Sequence, residues 1–372
     1  MSLVQRLARA ILPPLVAAAL MVGAFAGAAR YSRSPVFAYD TWIKWDSGHY
    51  LTIANQGYEL LNCPESSGYG PTQWCGNTGW FPGYPFLLRA LHGLTGQPTI
   101  WLAIVVSQVF TLIDLWLVWN LFLGRQNLTV LALCAFAPGT YYFLVGFPIS
   151  MVVCFILIAL WAEREGHYDV AFISGALAGL TYPSGVWLAG TTVAQLLIRR
   201  WRGERWTKWA WLAAAGPAIG FGCVLLTHHA SVGRWNAFFL SQDKYEHAIH
   251  NPLAVLWHRS LYIWAWLSGW QTGLQSLLAS ALVLGGAIGL AAAARRHAGD
   301  RGDLALSAFS LTYWLTPLAI GAHLSSYRAE ALLMPAAVGV RRLSTTIQFA
   351  LLGAAVAIWM AMVIQFIEGS LV

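Results

Sequence analysis

Residues 99–123 read TIWLAIVVSQVFTLIDLWLVWNLFL, a run whose only charged residue is Asp114. A helix needs about 20 apolar residues to cross a bilayer, so this stretch reads as a membrane span. The rest of the chain agrees with it. Of 372 residues, 58% are hydrophobic and only 10% charged, and the mean hydropathy is +0.58. That balance excludes a water-soluble domain, which could not cover its surface with polar groups. The 20 Trp and 14 Tyr suit aromatic belts at two membrane interfaces.

Similar apolar runs fall at 9–29, 128–145, 147–162, 168–182, 184–198, 208–227, 272–294, 303–322, 330–341 and 345–367. With 99–123 they predict an all-α polytopic membrane protein of about eleven spans, in one domain over 1–372. The first run follows Arg6 and Arg9 like a signal peptide, but it is long enough to span and is read as a retained helix. If the N-terminus is inside, Arg6, Arg9, Arg125, Arg164, five residues in 199–208, three in 295–301 and the pair Arg341–Arg342 face the cytoplasm. These are fourteen of the 22 Lys and Arg, although the outside has the two longest loops. The positive-inside rule therefore predicts a cytoplasmic N-terminus. The net charge of +7 belongs to loops facing anionic lipid and not to nucleic acid.

The two long outer loops, 30–98 and 228–271, are where function is expected. The first holds KWDSGHYLTIANQGYE (44–59), whose apolar spacing predicts a surface helix over 41–56 with Asp46, His49 and Tyr50 on one face. Pro82 and Pro85 of WFPGYP are expected to start a second amphipathic helix. Asp46, at the bilayer edge among aromatics, is the leading candidate for a general base. An N-cap or an ion pair with Lys44 or His49 is the plainer alternative. Asp40 reads as an N-cap. Arg328, in HLSSYRAEALLMP, suits a phosphate, with His323 and Tyr327 beside it as further donors. A salt bridge to Glu330 or snorkelling accounts for it equally well. Asp114 is a functional residue by default inside a membrane, or else it pairs with a polar group on a neighbouring helix. Cys63 and Cys75 share a polar loop and can close a disulfide if that loop faces an oxidising side. The outer histidines bring no zinc signature, and no metal is expected.

The motifs W-D-S-G-H-Y-L-x-I-A-x-x-G-Y at 45–58 and W-F-P-G-Y-P at 80–85 resemble those of the PIG-V family of mannosyltransferases. The likeness continues in order through GFPISMVVCFILIALWAEREG (146–166), GALAGLTYPSGVWLA (175–189) and SSYRAEALLMP (325–335). Tyr182 stands where the family usually has Arg, and Met151 where it often has an acid. The resemblance implies a GT-C-like bundle and inverting transfer of a hexose, mannose first, from a polyprenyl-phosphate sugar to a glycolipid or glycan hydroxyl. It makes Asp46 the base and Arg328 the phosphate ligand, with His49, Tyr50, Lys44, His323 and Tyr327 close by. A transporter or flippase of a lipid-linked sugar is the competing reading, although the internal repeats common in transporters are not visible. The short Ala- and Trp-rich chain suggests a prokaryotic plasma membrane, with the site on its extracytoplasmic side.

Overall fold

The computed structural model describes residues 2–201, 203, 208–245, 249–264, 270–296, 301–320 and 326–371. Apolar periodicity produces helices nearly throughout. The chain starts with α1 (Leu3–Tyr31), whose Pro13 and Pro14 are accommodated within the helix. The first long loop then carries α2 (Ser47–Asn55), a two-stranded hairpin of β1 (Leu60–Asn62) and β2 (Trp74–Gly76), and α3 (Gly83–Thr95). α3 starts at Gly83, directly after Pro82, as the proline spacing predicts. The hairpin pairs Leu61 with Cys75, and the disulfide joins Cys63 to Cys75 across it, with the Cα atoms 4.8 Å apart.

α4 (Thr99–Leu117) continues through a π-turn to Phe122. After it come α5 (Leu128–Ala135), α6 (Ile149–Glu165), α7 (Tyr168–Thr181) and α8 (Trp187–Trp201). The second half comprises α9 (Ala210–Val232), α10 (Ala237–Asp243), α11 (Pro252–Trp264), α12 (Trp270–Arg296) and α13 (Arg301–Ala319). It ends with the short α14 (Ser326–Ala331) and α15 (Met334–Ala337), then α16 (Thr345–Glu368). Among the described residues, α1, Thr99–Phe122, α9, Trp270–Ile288 and α16 are long and apolar enough to cross a membrane. The chain is thus an all-α membrane protein, apart from its small hairpin.

Two of the expected spans do not form single helices. In 128–145 the helix stops at Ala135, because Pro138 removes a donor and Gly139 adopts φ +79°. A 3₁₀ turn, Thr140–Phe143, follows. In 330–341 α14 stops at Ala331, and α15 starts anew at Met334 with Pro335 in its first turn, before a final 3₁₀ turn, Val338–Arg342. Apart from Leu128 and Thr129 at the start of the first, both broken segments are largely buried against the bundle.

α7 and α9 meet through paired small residues, Gly175-x-x-x-Gly179 and Gly216-x-x-x-Gly220. A Cβ on Gly175 would lie 2.8 Å from Pro217 Cδ, and one on Gly179 would strike the Pro217 carbonyl. Backbones approach this closely only where side chains are missing, the usual solution for helices that cannot use the hydrophobic effect in lipid. The packing matters for the site, because α7 is capped by Tyr182, and Phe221 and His228 of α9 meet Phe81 and Tyr58 of the 30–98 loop.

Candidate active site

Trp45 has φ +45°, in the left-handed region. For a Trp this costs roughly 1–2 kcal/mol, and such strain persists only where the surroundings enforce it. Here the indole meets Phe366 of α16 edge-on at 5.2 Å. The kink shortens the helix expected over 41–56, so α2 begins only at Ser47. Asp46 stands at the N-cap position, yet its carboxylate makes no capping hydrogen bond. It accepts instead from Nη1 of Arg328, 282 residues away.

That contact replaces the cap and the local ion pairs that the sequence offered for these two residues. Asp46 neither caps α2 nor forms an ion pair with Lys44 or His49, although its charge still reaches His49. Arg328 does not pair with Glu330, which accepts from Gln275 (2.7 Å), Ser276 and Arg259 (3.5 Å). The pair stays partly open, with 29% of the Asp46 side chain and 18% of the Arg328 side chain exposed. The guanidinium also lies 5.7 Å from the Phe147 ring centroid. Burial works against its charge, but Tyr182 and Asp46 next to it outweigh that and raise it.

Tyrosines surround the pair. Tyr50 is buried edge-on to Tyr84 (5.7 Å) and Phe147 (6.3 Å). Burial raises its hydroxyl, so it stays protonated. Tyr182 terminates α7 in an extended conformation before Pro183 and is close enough to feel the charges of Arg328 and Asp46. A phenol therefore stands near the pair where the resembled family carries an Arg. Tyr327 is buried and stacks on Tyr142 at 6.0 Å.

His49 lies flat on Trp80, with centroids 3.6 Å apart, and burial lowers its pKa. Lys44 is half-buried, and its carbonyl closes the turn by accepting from Ser47 N. The remaining candidates are placed elsewhere. Asp40 is exposed within the 3₁₀ turn Tyr39–Thr41, whose N-cap is Ala38, so it is not the cap expected. Asp114 is fully buried on α4, and neither carboxylate oxygen has a hydrogen-bond partner among the described residues. The neighbouring-helix partner expected for it is therefore absent there. Met151 is buried in α6. His323 lies outside the described residues.

The local frame follows from the sequence around α2. Arg89 donates to the carbonyls of Ile53 (2.6 Å) and Ala54 (2.7 Å), closing the helix's C-terminal end with a cation. The NQGY turn is tied by Asn77, which bonds Glu59 N and Gly57 O, and Tyr58 donates to Trp80 O at 2.8 Å. Tyr84 of WFPGYP is wholly buried and bonds Ala103 O and Ser107, so the motif acts as a wedge.

Two residues near the site, Lys244 and Tyr245, were not singled out by sequence reasoning. The Lys244 ammonium sits over Tyr69 (5.3 Å) and Tyr245 (5.2 Å) and is 3.9 Å from Cys75 Sγ. Its charge reaches His49, and Tyr245 feels both Asp46 and Arg328. Only the unusual length of the 228–271 loop signalled them. Among the described residues no group of three His, Cys, Asp or Glu could hold a metal ion.

No protein-family model matches this chain, and no curated protein does. The resemblance noted above therefore rests on its ordered motifs. Chemically, the arrangement offers a carboxylate able to take a proton and a guanidinium able to hold an oxyanion. Tyrosine side chains flank the pair, which stays partly open to solvent.

Proposed function

We propose that the chain is a membrane glycosyltransferase that moves a hexose, mannose first, from a polyprenyl-phosphate carrier to a hydroxyl of a glycolipid or glycan. The observation that carries this reading is the direct contact of Asp46 with Arg328. It brings a proton acceptor and a phosphate ligand together from opposite ends of the chain. In the proposed reaction the acceptor oxygen bonds to C1 of the sugar as its proton passes to Asp46. The C1–O bond to phosphate breaks, and its electron pair leaves with the phosphate, next to Arg328. Fixed positive charge beside a developing oxyanion is commonly the largest catalytic contribution.

A donor phosphate competes with Asp46 for the guanidinium fork. Its arrival separates the pair and frees the carboxylate for the acceptor, so the donor binds first. Cationic clusters at 199–208 and 295–301 support a cytoplasmic placement for the opposite end, with the site facing outward from a prokaryotic plasma membrane. The test is transfer by purified protein in liposomes from polyprenyl-phosphate mannose to a panel of glycolipids. Release of polyprenyl phosphate is expected, with Arg328→Ala weakening donor use. No transfer from any polyprenyl-phosphate hexose, with a folded protein, would refute the proposal.

A further inference from the structure

Several buried or half-buried tyrosines in this protein spend their hydroxyls on backbone carbonyls. Tyr58 donates to Trp80 O, Tyr84 to Ala103 O and Tyr313 to Ser184 O, each at 2.8 Å. Tyr141 and Tyr142 do not. Both are 0% exposed, and both hydroxyls have no hydrogen-bond partner among the described residues. A buried donor left unmade is destabilising, and phenylalanine would fill the same space without that cost. Phe143 and Phe147 next to them show that this environment accepts Phe.

Their position is enforced. Gly139 brings the turn backbone against α14, where a Cβ would lie 2.6 Å from Tyr327 O and 2.7 Å from Ala331 N. Thr140 locks the turn by donating to Ala135 O (2.7 Å) and accepting from Trp359 Nε1 (3.1 Å). Tyr142 and the Arg328 guanidinium then share one ring, since Phe147 lies 5.0 Å from the Tyr142 centroid and 5.7 Å from Arg328 Cζ. The charges of Arg328 and Asp46 both reach Tyr142, and those of Arg328 and Glu330 reach Tyr141.

We propose that the Tyr142 hydroxyl, with Tyr141 behind it, completes an oxyanion receptor with Arg328, and that its ligand is the phosphate of a polyprenyl phosphate. This rests on reading Asp46 and Arg328 as the transfer site. Arg328 has five N–H donors, all open to the phosphate once it has displaced Asp46 from the one it holds, and a departing phosphate monoester presents three terminal oxygens. The phenol supplies a neutral donor aimed at charge that develops as the C1–O bond breaks. Its contribution therefore grows toward the transition state.

The experiment crosses affinity against stability in the full-length protein in phosphatidylcholine nanodiscs. Binding of polyprenyl phosphate and of inorganic phosphate is measured for wild type, Tyr142→Phe, Tyr141→Phe, Tyr84→Phe and Arg328→Ala, with a thermal melt of each. Tyr142→Phe is expected to weaken polyprenyl-phosphate binding at least about tenfold, as for a lost hydrogen bond to a charged group, while its melting temperature holds or rises. Tyr84→Phe should do the opposite, melting lower with unchanged affinity. Wild-type binding that Arg328→Ala abolishes but Tyr142→Phe leaves within twofold overturns this receptor and spares the site reading. Absence of wild-type binding to polyprenyl phosphate overturns both. Equal, Tyr142-dependent binding of inorganic phosphate keeps the receptor and refutes the lipid as its ligand.

Discussion

Replacing Asp46 by Asn separates charge from shape. The amide oxygen can still accept from Arg328, so the hydrogen bond survives while the carboxylate charge and basicity are lost. The side chains are 29% and 18% exposed. The pair therefore stands between surface pairs, worth about 0–1 kcal/mol, and fully buried ones, whose breaking costs about 3–5 kcal/mol. With a hydrogen bond retained, the expected stability loss is about 1–2 kcal/mol. Loss of a general base lowers turnover by about 10²–10⁴-fold, or about 2.7–5.4 kcal/mol of barrier at 1.36 kcal/mol per tenfold. The kinetic loss thus exceeds the structural one. Initial rates of hexose transfer in proteoliposomes, measured beside thermal melts in the same lipid, separate the two. Asp46→Asn should leave donor binding intact or tighter, since the amide competes less well for the guanidinium. Activity within tenfold of wild type would refute the base assignment, as would a loss of activity that merely tracks unfolding.

Two further outcomes follow from the same geometry. Burial lowers the pKa of His49 below its ordinary 6.5, so the folded state binds fewer protons than the unfolded chain. Stability is then fully present above about pH 6.5 and is lost as pH falls below it. His49→Phe, which keeps a ring on Trp80, should flatten that slope in melts between pH 5 and 7; an unchanged slope would remove His49 as its source. At the α7–α9 contact, Gly179→Leu should cost about 1–3 kcal/mol or more through overpacking. Gly222→Ala, on α9 where nothing lies within 4 Å, should be neutral. Equal melting temperatures for the two variants would refute the close contact.

Much of the architecture was legible because membrane insertion imposes one-dimensional rules. A span must be apolar over its whole length, so runs such as 99–123 are visible without any neighbour. The same rule overcounts where an apolar segment is buried in protein instead of lipid. The 128–145 and 330–341 runs are hydrophobic because the bundle surrounds them. Their Pro138–Gly139 and Pro335 breaks were the local signs that they were not continuous helices. The G-x-x-x-G pair on α7 and α9 was likewise readable, but its meaning depended on which helices face each other.

Candidate chemistry followed the same division. Sequence reasoning selected Asp46 and Arg328 separately, from the scarcity of charge in an apolar chain, and WFPGYP as a structural element, which Tyr84 fulfils. The orientation rule put both on the outer face, and the resemblance put both in one site. Their direct contact was not legible, because no local period connects residues 282 apart. Nor could sequence reasoning see that Tyr141 and Tyr142 lack partners among the described residues while Tyr58, Tyr84 and Tyr313 have them. Hydrogen-bond satisfaction is a property of the packed interior and not of residue type. By itself the sequence determined solvent, helix content and the residues that could carry charge, since those depend on composition and period. Only the tertiary structure decided which charges meet and which hydroxyls stay free, because both depend on distances the chain acquires when it packs.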